Sequence, residues 1–270
     1  MDITSIIGIV IGFAAILTGY VIEGGSLLSL IKQTSPFIII FGGTFGSVLL
    51  AFTRNDLKLL PSLLKTVFTN QITDEIGIIN QLSDLSEKAR KEGLLSLEQE
   101  TQTIENPLIK KGLALVVDGI ETQAIKDILE RESELRGEIY ETGTKIFEFA
   151  GGVSPTMGVC GTVLGMITIL KDMSNASELG PKISVAFIAT LLGISFANLC
   201  FLPIANKIKA KAAKEGMVND IIIEGLLSIQ AGENPRLIKE KLNLTLLEQM
   251  NGKKSSASAS GETSARELEV

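Results

Sequence analysis

Four stretches of this chain, residues 3–22, 35–52, 153–170 and 183–203, each run for 18 to 21 positions without an Asp, Glu, Lys or Arg. An uncharged apolar run of about 20 residues is long enough to cross the hydrocarbon core of a bilayer as a helix. Burying all four inside a soluble chain of 270 residues would hide more apolar surface than a domain of that size can. A mean hydropathy of +0.34 agrees with membrane crossing. The expected fold is all-α: a polytopic membrane protein with four transmembrane helices and a helical cytoplasmic domain.

The ionised residues crowd between the second and third blocks, which divides the chain into residues 1–53, a first transmembrane hairpin; 54–150, a helical cytoplasmic domain; 151–205, a second hairpin; 206–250, C-terminal cytoplasmic helices; and 251–270, a Ser/Ala/Gly-rich disordered tail. Within 54–150, Ile72, Ile76, Ile79, Leu82 and Leu85 recur at three- and four-residue intervals, the stripe of an amphipathic helix, and Thr73, Asp74 and Glu75 suit its acidic, capped start. A second stripe runs through Ile125, Ile128, Leu129, Glu132, Leu135 and Ile139. Met217 to Ile229 is a third amphipathic segment, and a last short helix follows near Leu237 to Leu247. A polar loop is expected from Lys171 to Lys182.

Several functions are excluded early. The net charge of -6 leaves no basic stripe for nucleic acid. Histidine is absent, which removes Ser-His-Asp triads and His-based metal sites. The two cysteines, Cys160 and Cys200, sit in apolar blocks away from any ligand spacing. No nucleophile–base pair or phosphate loop appears, so no enzyme, metal or organic cofactor is expected. The N-terminus lacks a basic n-region and cleavage site, so its first block is kept as an anchor.

Orientation follows from Lys and Arg near the spans. The two hairpin loops hold three (Lys32, Lys171, Lys182), against ten on the other flanks, including Arg54, Lys58, Lys65 and the lysines at 207, 209, 211 and 214. Both termini and the charged region are therefore expected in the cytoplasm.

Small residues four apart occur in every block: Gly8 with Gly12, Gly42 with Gly46, Gly161 with Gly165, and Ala189 with Gly193. Such pairs let helices approach closely in lipid. Intramembrane ion relays use ionisable groups, usually carboxylates. With none inside the blocks, an ion moved by this chain must titrate a residue of another polypeptide. Thr162 and Thr190 place hydroxyls in the third and fourth blocks, where residue type alone favours bonds back to their own helix carbonyls, and the functional reading makes them oxygen donors. Pro155 and Pro203 read as helix punctuation at the cytoplasmic ends of these blocks or, functionally, as hinges.

The chain resembles the flagellar motor stator A subunits (MotA/PomA) of the MotA/TolQ/ExbB superfamily. The resemblance rests on Ala89-Arg-Lys-Glu-Gly-Leu-Leu-Ser-Leu-Glu98, Val117-Asp-Gly119, the run from Gly152 to Gly165, the run from Leu179 to Gly193, and Pro203-Ile-Ala-Asn206. It implies an ion-driven torque generator: a homo-oligomeric ring, five copies in the family, around two copies of a single-span B subunit (MotB/PomB type). The B subunit's membrane Asp carries the ion and its periplasmic domain anchors to peptidoglycan. Carried onto this sequence, the resemblance makes Arg90 and Glu98 contacts to the rotor switch protein FliG, Pro155 and Pro203 the functional prolines, Glu148 the acidic residue before the third span, and Thr162 and Thr190 ion-path hydroxyls. Thr162 is typical of sodium-driven members, while Ala189 stands where those commonly have a second threonine. This mixed pattern leaves H+ or Na+ open as the coupling ion, with H+ favoured as the commoner case in the family. The alternative is an ExbB/TolQ-like energiser of an outer-membrane process, which has one span before its cytoplasmic domain rather than two. A membrane scaffold without transport is the third reading.

Overall fold

The computed structural model describes residues 2–27, 34–69, 74–171 and 176–248, and every regular element among them is helical. Lys32, Ile72, Thr73 and the tail lie outside the described residues. The elements are α1 (Ile3–Ile22), α2 (Thr34–Ala51), α3 (Arg54–Lys58), α4 (Leu60–Phe68), α5 (Glu75–Glu92), α6 (Leu97–Glu100), α7 (Pro107–Val117) and α8 (Thr122–Lys171). After them come α9 (Ala176–Phe196), a π-turn (Ala197–Phe201), α10 (Leu202–Gln230) and α11 (235–248). Among the described residues, four helical stretches are long and apolar enough to cross a membrane: α1, α2, α8, and the run from Leu179 to Gln230.

The first two apolar blocks coincide with α1 and α2, but the last two are only parts of longer helices. α8 runs unbroken for 50 residues, and Pro155 lies inside it rather than at a first turn. Charged Glu, Lys and Arg propagate a helix as well as apolar residues do, so a change of polarity does not end one. Pro203 likewise sits inside a helical run, as the second residue of α10 after the π-turn. The polar loop expected from Lys171 to Lys182 is shorter than that: α9 already begins at Ala176, and Lys182 lies within it.

The chain folds as two compact units, divided at residues 71/72, 137/138 and 212/213, within the polar region rather than at the edges of the apolar blocks. The first unit holds α1 to α4, residues 138–171 of α8, α9, the π-turn and the start of α10. Its aromatic junction is Phe196 of α9, edge-on to Phe41 of α2 at 4.7 Å and tilted against Phe13 of α1 at 5.4 Å. No residue of α1 is buried. That exposure carries no penalty where the surroundings are lipid tails. Thr53 starts α3 with a reciprocal capping box to Asp56, and α4 buries Leu63 and Val67 against Phe147, Ala205 and Ile208.

The second unit is a water-type helical core made by α5, α7, residues 122–137 of α8, residues 213–230 of α10, and α11. Asp74 caps α5 by accepting from the Gly77 N–H, and the stripe then buries Ile79, Leu82 and Leu85 while Ile76 stays exposed. From the second stripe only Ile125 and Leu129 are buried. Ile125 and Leu129 share one cluster with the α5 stripe and with the buried residues of the 217–229 segment, Leu226 among them. Glu132, read from periodicity as part of a stripe, is an ion-pair hub: it meets Lys111 of α7 at 2.6 Å and Arg136 at 3.2 Å, and Arg136 reaches Glu215 of α10 at 3.7 Å. The hydrogen bond from the Lys111 ammonium is the main reason the Glu132 carboxyl titrates below its ordinary range.

Two outcomes follow. Leu226 is fully buried, so Leu226→Ala should destabilise the second unit by about 2–5 kcal/mol, read as a lower thermal midpoint in detergent; an unchanged midpoint would remove Leu226 from the core. A depressed carboxylate gives stability that is present above its unfolded pKa, near about 4.3, and is lost as pH falls through the folded value. Acidification from about pH 6 to about pH 3 should therefore cost the wild type about 1 kcal/mol more than Glu132→Gln, and parallel melting curves would disprove the hub.

Candidate functional site

The hydroxyls of Thr162 on α8 and Thr190 on α9 are in direct hydrogen-bond contact. Thr162 Oγ1 lies 2.9 Å from the Ala186 carbonyl of α9 and 3.2 Å from the Gly158 carbonyl of its own helix, and Thr190 Oγ1 lies 3.5 Å from that same Gly158 carbonyl. Both threonines are half-buried. The bond back to the own helix, which residue type favours, is therefore present for Thr162 but shared with bonds across the helix pair.

The two helices can meet this way because the contact is built of missing side chains. A Cβ at Gly158 would stand 2.8 Å from the Ala189 carbonyl and 3.1 Å from Thr190 Cα. One at Gly193 would stand 2.7 Å from the Ser154 carbonyl. A Cβ at Gly161 or Gly165 would stand equally close, 2.8 Å from the Ala189 Cβ and 2.7 Å from the Ala186 Cβ. Ser154, fully buried, closes the contact by donating its hydroxyl to the Gly193 carbonyl at 3.0 Å. Of the four small-residue pairs, those of the third and fourth blocks meet each other, whereas Gly42 and Gly46 of α2 face open space.

Each hydroxyl carries one hydrogen and two lone pairs. When Thr190 donates to Thr162 and Thr162 to the Ala186 carbonyl, both protons are used and lone pairs remain on each hydroxyl. With the Gly158 and Ala186 carbonyls, the cluster offers oxygen acceptors and no formal charge. Such a set can coordinate a hard cation or accept a hydrogen bond from a protonated carboxyl, but it cannot store a proton itself.

Ala189 belongs to this contact, buried against Gly161. Pro155 stands on α8 beside Ser154 and one turn before Gly158, where the ring removes a donor to the Gly151 carbonyl. Pro203 is not part of the cluster: it lies 13 residues beyond Thr190, about 20 Å along the helix, and is exposed. The π-turn just before it widens the backbone where a proline ring would crowd the Leu199 carbonyl. Glu148 is exposed on α8, in line at helical spacing with Gly152, Thr156, Val159 and Val163, which are exposed as well.

Arg90 and Glu98 belong to the second unit. Arg90 is in the last turn of α5, which ends at Gly93 with φ 89°, and Glu98 is in α6 after a single 3-10 turn, Leu94–Ser96. Fully buried Leu97 anchors that corner, and Lys88 braces it through an ion pair to Glu100 at 2.6 Å. Both Arg90 and Glu98 are exposed, and among the described residues neither joins an ion pair.

Three participants escape a reading by residue type. Gly158 and Ser154 were legible in principle, since Ser154, Gly158, Gly161 and Gly165 recur at helical spacing. The Ala186 carbonyl had no signal, because every residue carries one.

Comparison with known proteins bears on both ends of the chain. The description "MotA/TolQ/ExbB proton channel family" fits residues 100–221, and "Motility protein A N-terminal" fits residues 6–93. Motility protein A of Bacillus subtilis (strain 168) is 39% identical over 248 residues, covering 91% of each chain. The flagellar MotAB stator complex from Bacillus subtilis superposes with a TM-score of 0.84 at 38% identity, over 90% of this chain and 95% of that one. The C. jejuni MotAB structure gives 0.86 at 32% identity, over 91% and 96%. The chain belongs to the MotA/TolQ/ExbB proton channel family, in its motility protein A branch.

Proposed function

We propose that this chain is the A-type subunit of a flagellar stator, which with a B subunit forms a channel that turns ion flow into torque on the rotor. The observation that carries the reading is chemical. The α8–α9 contact gathers hydroxyl and carbonyl oxygens around Thr162 and Thr190, while the four apolar blocks hold no ionisable carboxylate or amine. A site of that kind completes itself with a carboxylate supplied by a partner span. The likeness to MotAB stator complexes supports a B subunit as that partner.

In this reading several copies, five by the family's pattern, form a ring around a B-subunit dimer in the inner membrane, with both termini and the second unit in the cytoplasm. The partner's Asp binds H+ or Na+, its charge is neutralised, and its contacts with Thr162 and Thr190 change. The Pro155 region lets α8 follow the change. Arg90 and Glu98 push against opposite charges on FliG, the B subunit's periplasmic domain holds peptidoglycan, and Glu148 lies on the exposed face before the third span. The energiser alternative gains no support, because residues 6–93 match the motility protein A N-terminal description.

Deleting the gene in a strain with no second stator set should leave cells flagellated but motionless, and normal swimming would refute the assignment. Thr190→Val keeps the volume and removes one oxygen, so the ion concentration giving half-maximal swimming speed should rise about tenfold; an unchanged value would free the hydroxyl from any role in the ion path. Charge reversals Arg90→Glu and Glu98→Lys should each impair torque, with recovery when the facing FliG charge is also reversed, since exposed charges orient more than they bind.

A further inference from the structure

A groove of about 270 Å³ opens between the beginning of α1, the end of α4, and the π-turn with the first turns of α10. Its walls are apolar, formed by Ile9, Val67, Leu199 and Ile204, and its polar lining includes Ser5 and Lys207. At Gly8 nothing stands within 4 Å of where a Cβ would be, so the groove is open there for want of a side chain. The depth of the groove follows from the sequence. α1 starts at Ile3, and Lys207 is the first ionised residue after 24 uncharged positions, 183–206. The polar part therefore sits at the level of lipid headgroups and the walls at the level of acyl chains.

The charge at this level is unbalanced. The Lys207 ammonium contacts the Asp2 carboxylate and the Ser5 hydroxyl. An ammonium has three donors, so one is left for a further acceptor. One turn on, Lys211 donates to the carbonyls of Thr66 and Thr69 at the end of α4, and among the described residues it meets no carboxylate. Burial, and then the neighbouring Lys207 charge, lower the pKa of Lys211, as expected where two cations share one anion.

We propose that the groove binds one anionic phospholipid, its phosphate on Lys207 and an acyl chain along Ile9, Leu199 and Ile204. Charge complementarity selects the headgroup, and α1, with no buried residue, leaves the groove facing the lipid phase. The inference rests on the membrane crossing of α1 and of the Leu179–Gln230 run, not on torque generation, so it can fail while the stator reading stands.

The test uses the full A/B complex purified from nanodiscs of equal phosphatidylglycerol and phosphatidylcholine, with retained lipid counted by native mass spectrometry. The wild type should keep phosphatidylglycerol in preference to phosphatidylcholine. Lys207→Gln should lower that retention about fivefold, the effect of one lysine near lipid phosphates. Gly8→Leu, which fills the groove, should lower retention of both lipids. Lys209→Gln, exposed and outside the lining, should change nothing. Equal retention of the two lipids, displacement of phosphatidylglycerol by excess inorganic phosphate, or a disulfide between two Gly8→Cys chains would each overturn the proposal. The last outcome would assign the groove to a second copy. If Lys207→Gln fails to assemble, the wild-type lipid ratio and Gly8→Leu still decide.

Discussion

The close approach of α8 and α9 is the contact on which the membrane unit depends. Between apolar helices in lipid the hydrophobic effect supplies no attraction, and association comes from close packing and hydrogen bonds. Here the packing is backbone on backbone, with Gly158 against Ala189 and Thr190, and Gly193 against Ser154 and Gly158. The hydroxyl of Ser154 adds a buried hydrogen bond across the pair. Thr162 and Thr190 meet only because these glycines let them. The chemistry of the site is thus a consequence of what is absent around it.

The two units are held by different physics. The second has the core of a soluble helical domain, with Leu113, Leu129, Ile222 and Leu226 fully or almost fully buried and the Glu132 hub joining α7, α8 and, through Arg136, α10. The first leaves most of α1 and one face of α8 exposed and relies on glycine contacts and the Phe41–Phe196–Phe13 junction. For a stator subunit the difference has functional content. A neutral, oxygen-lined site can respond to a partner's carboxylate without a competing charge of its own, and a packed soluble core can hold Arg90 and Glu98 on a fixed corner.

Much of this was legible in residue pattern. Four uncharged runs predicted four spans, and the all-helical architecture agrees; α1 matches its predicted limits residue for residue. The apolar stripes of α5 and the 217–229 segment became buried core. Hydrophobicity could not reveal helix ends, because it reports the medium rather than the backbone conformation. α8 therefore extends 31 residues before Val153, and Pro155 is interior. Nor could it show that Glu132, at a stripe position, would sit at the edge of the core as an ion-pair centre. In the candidate site the threonines and Ala189 were visible as residue types, but their meeting with the Ala186 carbonyl depends on the register between α8 and α9, which no single-chain periodicity encodes. Pro203, grouped with them by family resemblance, lies well away from the cluster along the helix.

The π-turn before Pro203 also sets an angular phase. A turn of this kind accommodates one more residue than an α-helix would, and each residue of an α-helix accounts for about 100° of rotation. Residues 202–212 of α10 are therefore rotated relative to the face that carries Ala189 and Gly193. The helix can present small residues to α8 on one side and then turn Lys207 towards Asp2 and Ser5 on another. The offset thus sets the angle between the face that meets α8 and the face that meets α1, a quantity that residue spacing along a regular helix would otherwise fix.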